Sequence, residues 1–241
     1  MPRFLQGWLI TLLAVFAGIV PAFGSGPALT AGADGELVTF HSSLIASTAR
    51  KGRFVALTFD DGPHPTWTPQ VLDLLKKHDV QATFCLVGEN VTRYPALVRR
   101  IAAEGHRLCD HTVYHNKLSE ASDQHVRDEI LGGLAAIHKV VPNAPVPYYR
   151  APYGAWSAYQ VETARQAGMK SLAWSVDTRD WSRPGVPTII ATVNRELKPG
   201  GVILMHDGIS GGQSERSQSV AALRRLLRDL PRQGYRFDFP A

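Results

Sequence analysis

Beyond residue 52 the chain alternates between short apolar runs and longer stretches with helical periodicity. Strand-like runs fall at 54–59, 80–87, 106–110, 146–150, 170–176, 201–205 and 235–239. Helical stretches at 68–78, 95–104, 122–140, 157–167, 187–195 and 217–230 separate them. The punctuation fits: Ser122 and Ser157 stand at N-cap positions, Pro187 near a first turn, and Gly105 and Gly168 just past helix ends. Pro142 halts the helix that contains Gly132-Gly133. Alternation of this kind means a parallel sheet wrapped by helices. Both an open doubly wound sheet and a closed barrel satisfy it. Polar residues separate the two. Asp60-Asp61, His111, Arg150, Asp177 and His206 each lie at or just past the carboxyl end of a different strand. Barrel enzymes draw such residues together around one rim, whereas an open sheet spreads them along a line. The expected fold is therefore an α/β, distorted (β/α) barrel of about seven parallel strands, irregular or open on one side, forming a single domain over 53–241.

The rim residues suggest a metal site. Asp60 and Asp61 follow an apolar strand, and fifty residues on, His111 and His115 are spaced so that one helical turn would stack them on one face. Asp61, His111 and His115 offer one oxygen and two nitrogen ligands. That set suits zinc, with cobalt or another divalent ion also open, and leaves positions for water and substrate. Successive side chains of a strand point in opposite directions, so Asp60 is expected to stay off the metal and serve as general base. His206, at the end of the apolar run 202–205, is the candidate general acid.

Five segments then carry a resemblance. Thr58-Phe59-Asp60-Asp61-Gly62-Pro63, His111-Thr112-Val113-Tyr114-His115, Arg150-Ala151-Pro152-Tyr153-Gly154, Asp177-Thr178-Arg179-Asp180-Trp181 and Leu204-Met205-His206 occur in this order. From about residue 53 onward the chain resembles the polysaccharide deacetylases of carbohydrate esterase family 4, the NodB-homology domain. The resemblance implies a distorted barrel and hydrolysis of acetyl groups on sugars. It implies that Arg150 orients Asp60, that Asp177 orients His206 and raises its pKa, and that the backbone N–H of Tyr153 helps bind an oxyanion. Leu204 and Trp181 are expected to line the pocket for the acetyl methyl and the sugar face; ordinary core packing is the competing reading. Asp180 and Asp207 are read as structural residues of the rim. The substrate class implied is N-acetylglucosamine-containing glycan, either peptidoglycan or chitin-type oligomers. An acetylxylan-type O-deacetylase and an inactive glycan-binding module are the rivals.

The remaining features concern compartment and partners. Residues 1–24 read as a secretory signal: Arg3 gives a positive start, 8–20 is mostly apolar, and small residues follow Pro21. An uncleaved membrane anchor stays open, because the apolar stretch approaches the ~20 residues that span a bilayer. Gly-, Ala- and Ser-rich residues 25–52 read as a flexible tether. Either reading puts the catalytic domain outside the cytoplasm, secreted or in the cell envelope, with membrane contact only through an uncleaved amino terminus. Two cysteines in an exported chain favour a Cys85–Cys109 disulfide over two buried free thiols. The formal charge of +5 is not concentrated into a basic face, so nucleic acid is not an expected partner. Acetylated polysaccharide is the expected partner, and the protein is expected to act as a monomer.

Overall fold

The structure is a computed structural model that describes residues 42–210 and 215–241. The signal-like segment 1–24 and the tether up to residue 41 lie outside the described residues. Among the described residues eight strands are present: β1 (Phe54–Gly62), β2 (Thr83–Leu86), β3 (Arg107–Asp110), β4 (Tyr148–Tyr149), β5 (Lys170–Ser171), β6 (Val176–Asp177), β7 (Gly201–His206) and β8 (Arg236–Phe237). Seven α-helices of the described residues pack around them: α1 (Trp67–Lys77), α2 (Gly88–Arg93), α3 (Pro95–Ala103), α4 (Asp123–Val140), α5 (Ala158–Gln166), α6 (Val186–Glu196) and α7 (Ser217–Arg232). Seven strands follow the order β5-β4-β3-β2-β1-β7-β6, with β8 beside β1. Every pairing between strands is parallel. The result is the expected distorted barrel. Among the described residues, no helix is long and apolar enough to cross a membrane.

Strand β1 is buried at all nine positions, because helices cover one face and the barrel interior the other. The period of two sorts its side chains. Val55, Leu57 and Phe59 join the large core between sheet and helices, while Ala56 joins a small inner cluster with Cys85, Cys109, Tyr148, Leu172 and Val202. Continuing that alternation brings Thr58 and Asp60 to the same inner side. In-register pairing sets Asp60 beside Cys85 on one flank and His206 on the other. The barrel axis is thus packed with small and apolar groups below and polar groups above.

Three expectations need correction. Residues 42–52 are not a tether. Ile45 N–H donates to Ser171 O (2.8 Å), Ala173 N–H to Ile45 O (2.7 Å) and Thr48 N–H to Gly200 O (2.8 Å), so this segment docks against the barrel between β5 and the start of β7. These backbone bonds are joined by the Arg50 side chain on Asp238 and by Ile45 against the inner apolar cluster, contacts that a Gly-, Ala- and Ser-rich composition does not reveal. The apolar run 170–176 is not one strand either: β5 pairs with β4, and β6 pairs with β7 at the other end of the sheet. The run crosses the open side instead of lying along one neighbour. Helix α2 was not anticipated, being six residues long with no side-chain cap. The capped helices match: Ser122 Oγ accepts from His125 N–H, and Ser157 Oγ from Gln160 N–H.

Cys85 and Cys109 face each other across β2 and β3 and form a disulfide. The bridge closes a loop of sequence separation 24, for which chain-entropy arguments give about 3 kcal/mol. The double replacement Cys85→Ala with Cys109→Ala should lower the thermal midpoint by roughly 10 °C. Calorimetry showing an unchanged midpoint would contradict this.

Candidate active site

At the end of β1 the backbone breaks its own alternation. Asp61 has φ +71°, and the β1–β2 register shifts between Asp60 and Gly62. Both carboxylates therefore reach the same space, with His111 Nε2 lying 3.7 Å from Asp60 Oδ2 and 3.6 Å from Asp61 Oδ1. Simple strand alternation, which would have pointed them apart, does not hold here. Gly208 makes the turn fit: its missing Cβ would overlap the carbonyl of Asp61, and its N–H donates to Asp60 O at 3.2 Å.

His111 and His115 meet without a helix. The segment after β3 is irregular, with left-handed backbone at Thr112 (φ +68°) and His115 (φ +60°). Thr112 N–H donates to Asp110 Oδ1 and His115 N–H to Thr112 Oγ1, so local side-chain bonds replace helical ones. The expected helical turn is thus corrected to a loop, though its consequence, two imidazoles on one side, survives. His111 Nδ1 lies 2.7 Å from Arg150 O; a carbonyl only accepts, so Nδ1 carries the proton and Nε2 offers its lone pair.

Asp61, His111 and His115 present ligand atoms within 4.8 Å of one another. His115 Nε2 is 3.2 Å from Asp61 Oδ1. Asp61 Oδ1 and His111 Nε2 are buried yet have no hydrogen-bond partner, which fits a cation between them. Burial, joined by the neighbouring His111, lowers the pKa of His115 to about 4 and keeps it in the neutral form that ligates metals. Burial opposes the charge on Asp61, but the surrounding imidazoles outweigh it and hold the carboxyl below its ordinary range.

Arg150 and Asp60 form a pair inside the barrel. The guanidinium is fully buried; Nη1 donates to Asp60 Oδ1 (2.6 Å) and Thr58 Oγ1 (3.0 Å), Nε to Leu172 O (2.9 Å) and Nη2 to Ala173 O (3.1 Å). Such bonding is what makes a buried charge tolerable. Asp60 Oδ1 is engaged, and Oδ2 is the oxygen on the His111 side.

On the opposite flank His206 ends β7. Its Nδ1 lies 2.8 Å from Asp180 Oδ1, and its backbone N–H donates to Asp180 Oδ2 at 2.9 Å. Burial disfavours the charged ring, yet the Asp180 carboxylate prevails and raises the pKa of His206 to about 9. The orienting carboxylate is therefore Asp180 and not Asp177. Asp177 Oδ1 instead accepts from Arg179 N–H at 2.9 Å, and the residue lines the cleft. Left-handed backbone at Arg179 turns the chain so that the buried Asp180, three residues after Asp177, comes under His206. Nothing in the local sequence says which of the two acids makes that turn.

Known proteins are similar to this chain. The polysaccharide deacetylase family pattern matches residues 47–172. Over 190 residues the chain is 43% identical to a chitooligosaccharide deacetylase of Bradyrhizobium sp. (strain ANU 289), covering 76% of this chain and 87% of that protein. Over 187 residues it is 42% identical to a peptidoglycan-N-acetylglucosamine deacetylase of Bacillus cereus, covering 77% and 85%. A crystal structure of a peptidoglycan N-acetylglucosamine deacetylase superposes with a TM-score of 0.75 at 36% identity, covering 82% of this chain and 90% of the other. The chain belongs to the polysaccharide deacetylases of carbohydrate esterase family 4.

In this polysaccharide deacetylase the acidic and imidazole groups open onto a cleft of about 300 Å³. Tyr153, Trp181 and Leu204 all line it. Tyr153 is left-handed (φ +59°), and its ring meets the His115 ring edge-on at 4.6 Å. Trp181 is 44% exposed, whereas Leu204 is 4% exposed and both packs and lines. Trp174 is a wall residue that the sequence pattern hid inside the run 170–176. Gly154 (φ +64°) lies against it so closely that a Cβ there would come within 2.7 Å of Trp174 Cη2. Asp207, read as structural, is buried; burial first, then Asp61 and Asp60, raise its pKa to about 7, and Thr68 Oγ1 donates to it. A larger hollow of about 670 Å³ lies elsewhere, by Arg50, His78 and Tyr235. Convergence of titratable groups, more than volume, marks the smaller cleft as the site.

Proposed function

We propose that this deacetylase is an exported, metal-dependent hydrolase that removes N-acetyl groups from N-acetylglucosamine residues of chitin-type oligosaccharides or peptidoglycan. One observation carries the reading: the Asp61, His111 and His115 cluster lies between a carboxylate braced by Arg150 and an imidazole braced by Asp180. Zinc is the proposed ion, since two imidazoles and one carboxylate are a common catalytic zinc set that leaves coordination positions open. When bound, such an ion makes water more acidic and polarises the acetyl carbonyl.

The chain's own residues do the rest. Asp60, with Oδ1 tied to Arg150, uses Oδ2 to take the proton of the attacking water. The Tyr153 N–H is proposed to donate to the developing oxyanion, with Trp181 against the sugar face and Leu204 toward the acetyl methyl. His206, charged because of Asp180, gives its proton to the leaving amine as the C–N bond breaks. Acetate and a free amino sugar result. Signal-like residues 1–24 and the disulfide support work outside the cytoplasm. The names of the relatives support an amide-linked glycan substrate.

Acetate release should be compared on N-acetylchitooligosaccharides, peptidoglycan and acetylated xylan. The expected result is release from at least one of the first two, with free amines appearing in equal amount. Release from xylan alone would replace this reading by an O-deacetylase, and release from none by a glycan-binding module.

A further inference from the structure

The loop bearing His111 and His115 is held from two sides. From α2, Gly88 N–H donates to Thr112 O at 2.9 Å and Glu89 N–H to Val113 O at 3.0 Å. From α4, Glu129 Oε2 accepts from Val113 N–H (3.1 Å) and Tyr114 N–H (3.0 Å), and Oε1 accepts from Asn116 Nδ2 (3.2 Å). Glu129 is 2% exposed, and no Lys or Arg pairs with it among the described residues. A buried carboxylate is costly unless its oxygens are used. Here all three of its hydrogen bonds end on the histidine loop or the residue that follows it.

The glycine pair in mid-helix has a matching explanation. A Cβ on Gly133 would overlap Asp110 Oδ1 and lie 3.0 Å from the carbonyl carbon of Thr112, and one on Gly132 would lie 2.6 Å from Val113 Cγ2. Each glycine costs α4 about 1 kcal/mol of helix propensity relative to Ala. In exchange the loop packs directly on the helix. The loop also holds two non-glycine residues at positive φ, which cost roughly 1–3 kcal/mol each and persist only where the surroundings enforce them.

We infer that Glu129, with Gly133 beneath the loop, is a positioning residue that sets metal affinity by fixing the separation of His111 and His115. The inference rests on the reading that these histidines and Asp61 hold a metal. Without Glu129, two part-buried N–H groups lose their acceptor, and the left-handed turn relaxes toward a backbone that no longer aims both rings at Asp61. Gln at this position retains an acceptor oxygen for both N–H groups, and its amide can donate to Asn116 once that side chain flips.

The test is zinc affinity of the full chain, measured by competition against a chromophoric chelator after metal removal, with far-UV circular dichroism of each metal-free variant. Glu129→Ala should weaken zinc binding about 10–100-fold while the metal-free protein stays folded. Glu129→Gln should return affinity to within a few-fold of wild type. Gly133→Ala, which favours the helix but displaces the loop, should weaken zinc as well. A folded Glu129→Ala protein with wild-type zinc affinity would overturn the inference. Should Glu129→Ala fail to fold, Gly133→Ala decides, and unchanged affinity there would overturn it too. Wild type that binds no zinc would instead overturn the metal reading itself.

Discussion

The Asp60→Asn variant should lose roughly 10²–10⁴-fold in turnover while still binding its metal, the range expected when a positioned general base is removed. Asn has the shape of Asp, and its carbonyl can face Arg150 Nη1, which now donates to Asp60 Oδ1 at 2.6 Å. That arrangement turns the amide toward the cleft, where it can donate a proton but not accept one. Some stability is lost too, since Arg150 is wholly buried and keeps only Thr58 Oγ1, Leu172 O and Ala173 O besides. Breaking a buried pair outright costs about 3–5 kcal/mol, and the retained neutral bond reduces that. His111→Ala should behave differently, losing metal and turnover together. Measuring metal content and acetate release on the same samples separates the two. Undiminished turnover in metal-replete Asp60→Asn would remove Asp60 from the role of base.

The second large effect concerns pH. His206 is raised from an ordinary 6.5 to about 9; burial opposes its charge, and the Asp180 carboxylate more than compensates. As a general acid it works only when protonated, so the rate should hold through neutral pH and fall as pH rises through that value. A cation at Asp61 would pull the limb downward, but the effect of removing Asp180 keeps its sign. In Asp180→Asn the ring loses its anionic partner and its pKa drops to about 6.5 or below. At pH 8 only a few per cent of the rings would then be protonated, giving a loss of roughly 30-fold or more. At pH 5.5 much of the rate should return. Folding is linked to the same proton. The folded ring binds it more tightly than the unfolded one, so this contribution to stability is complete below 6.5 and is lost as pH rises through about 9. A pH–rate profile of Asp180→Asn that superposes on wild type would contradict the assignment.

Much of the barrel was legible because parallel strands bury both faces. Strands β1 and β7 therefore show as continuous apolar runs with polar residues where they end. The same logic brought Asp60, Asp61, His111, His115, Arg150 and His206 together from four distant stretches. Much of what stayed hidden in the site has one physical origin. Asp61, Thr112, His115, Tyr153 and Arg179 all adopt positive φ although none is glycine, and each redirects a side chain that strand or helix periodicity would have aimed elsewhere. The choice of Asp180 over Asp177 turns on one such residue, Arg179. Gly132-Gly133 lowers the propensity of its helix, and the partner that needs the space lies about twenty residues upstream. The docking of 42–52 is not visible in its composition because backbone bonds, which any composition can supply, make much of it, and the side-chain partner of Arg50, Asp238, lies 188 residues away.

The most direct test of the account is acetate release from N-acetylchitooligosaccharides by enzyme stripped with a chelator and then titrated with zinc. Turnover should fall to background and return in proportion to bound ion, reaching its plateau at one zinc per chain. Full turnover by verified metal-free enzyme would contradict it.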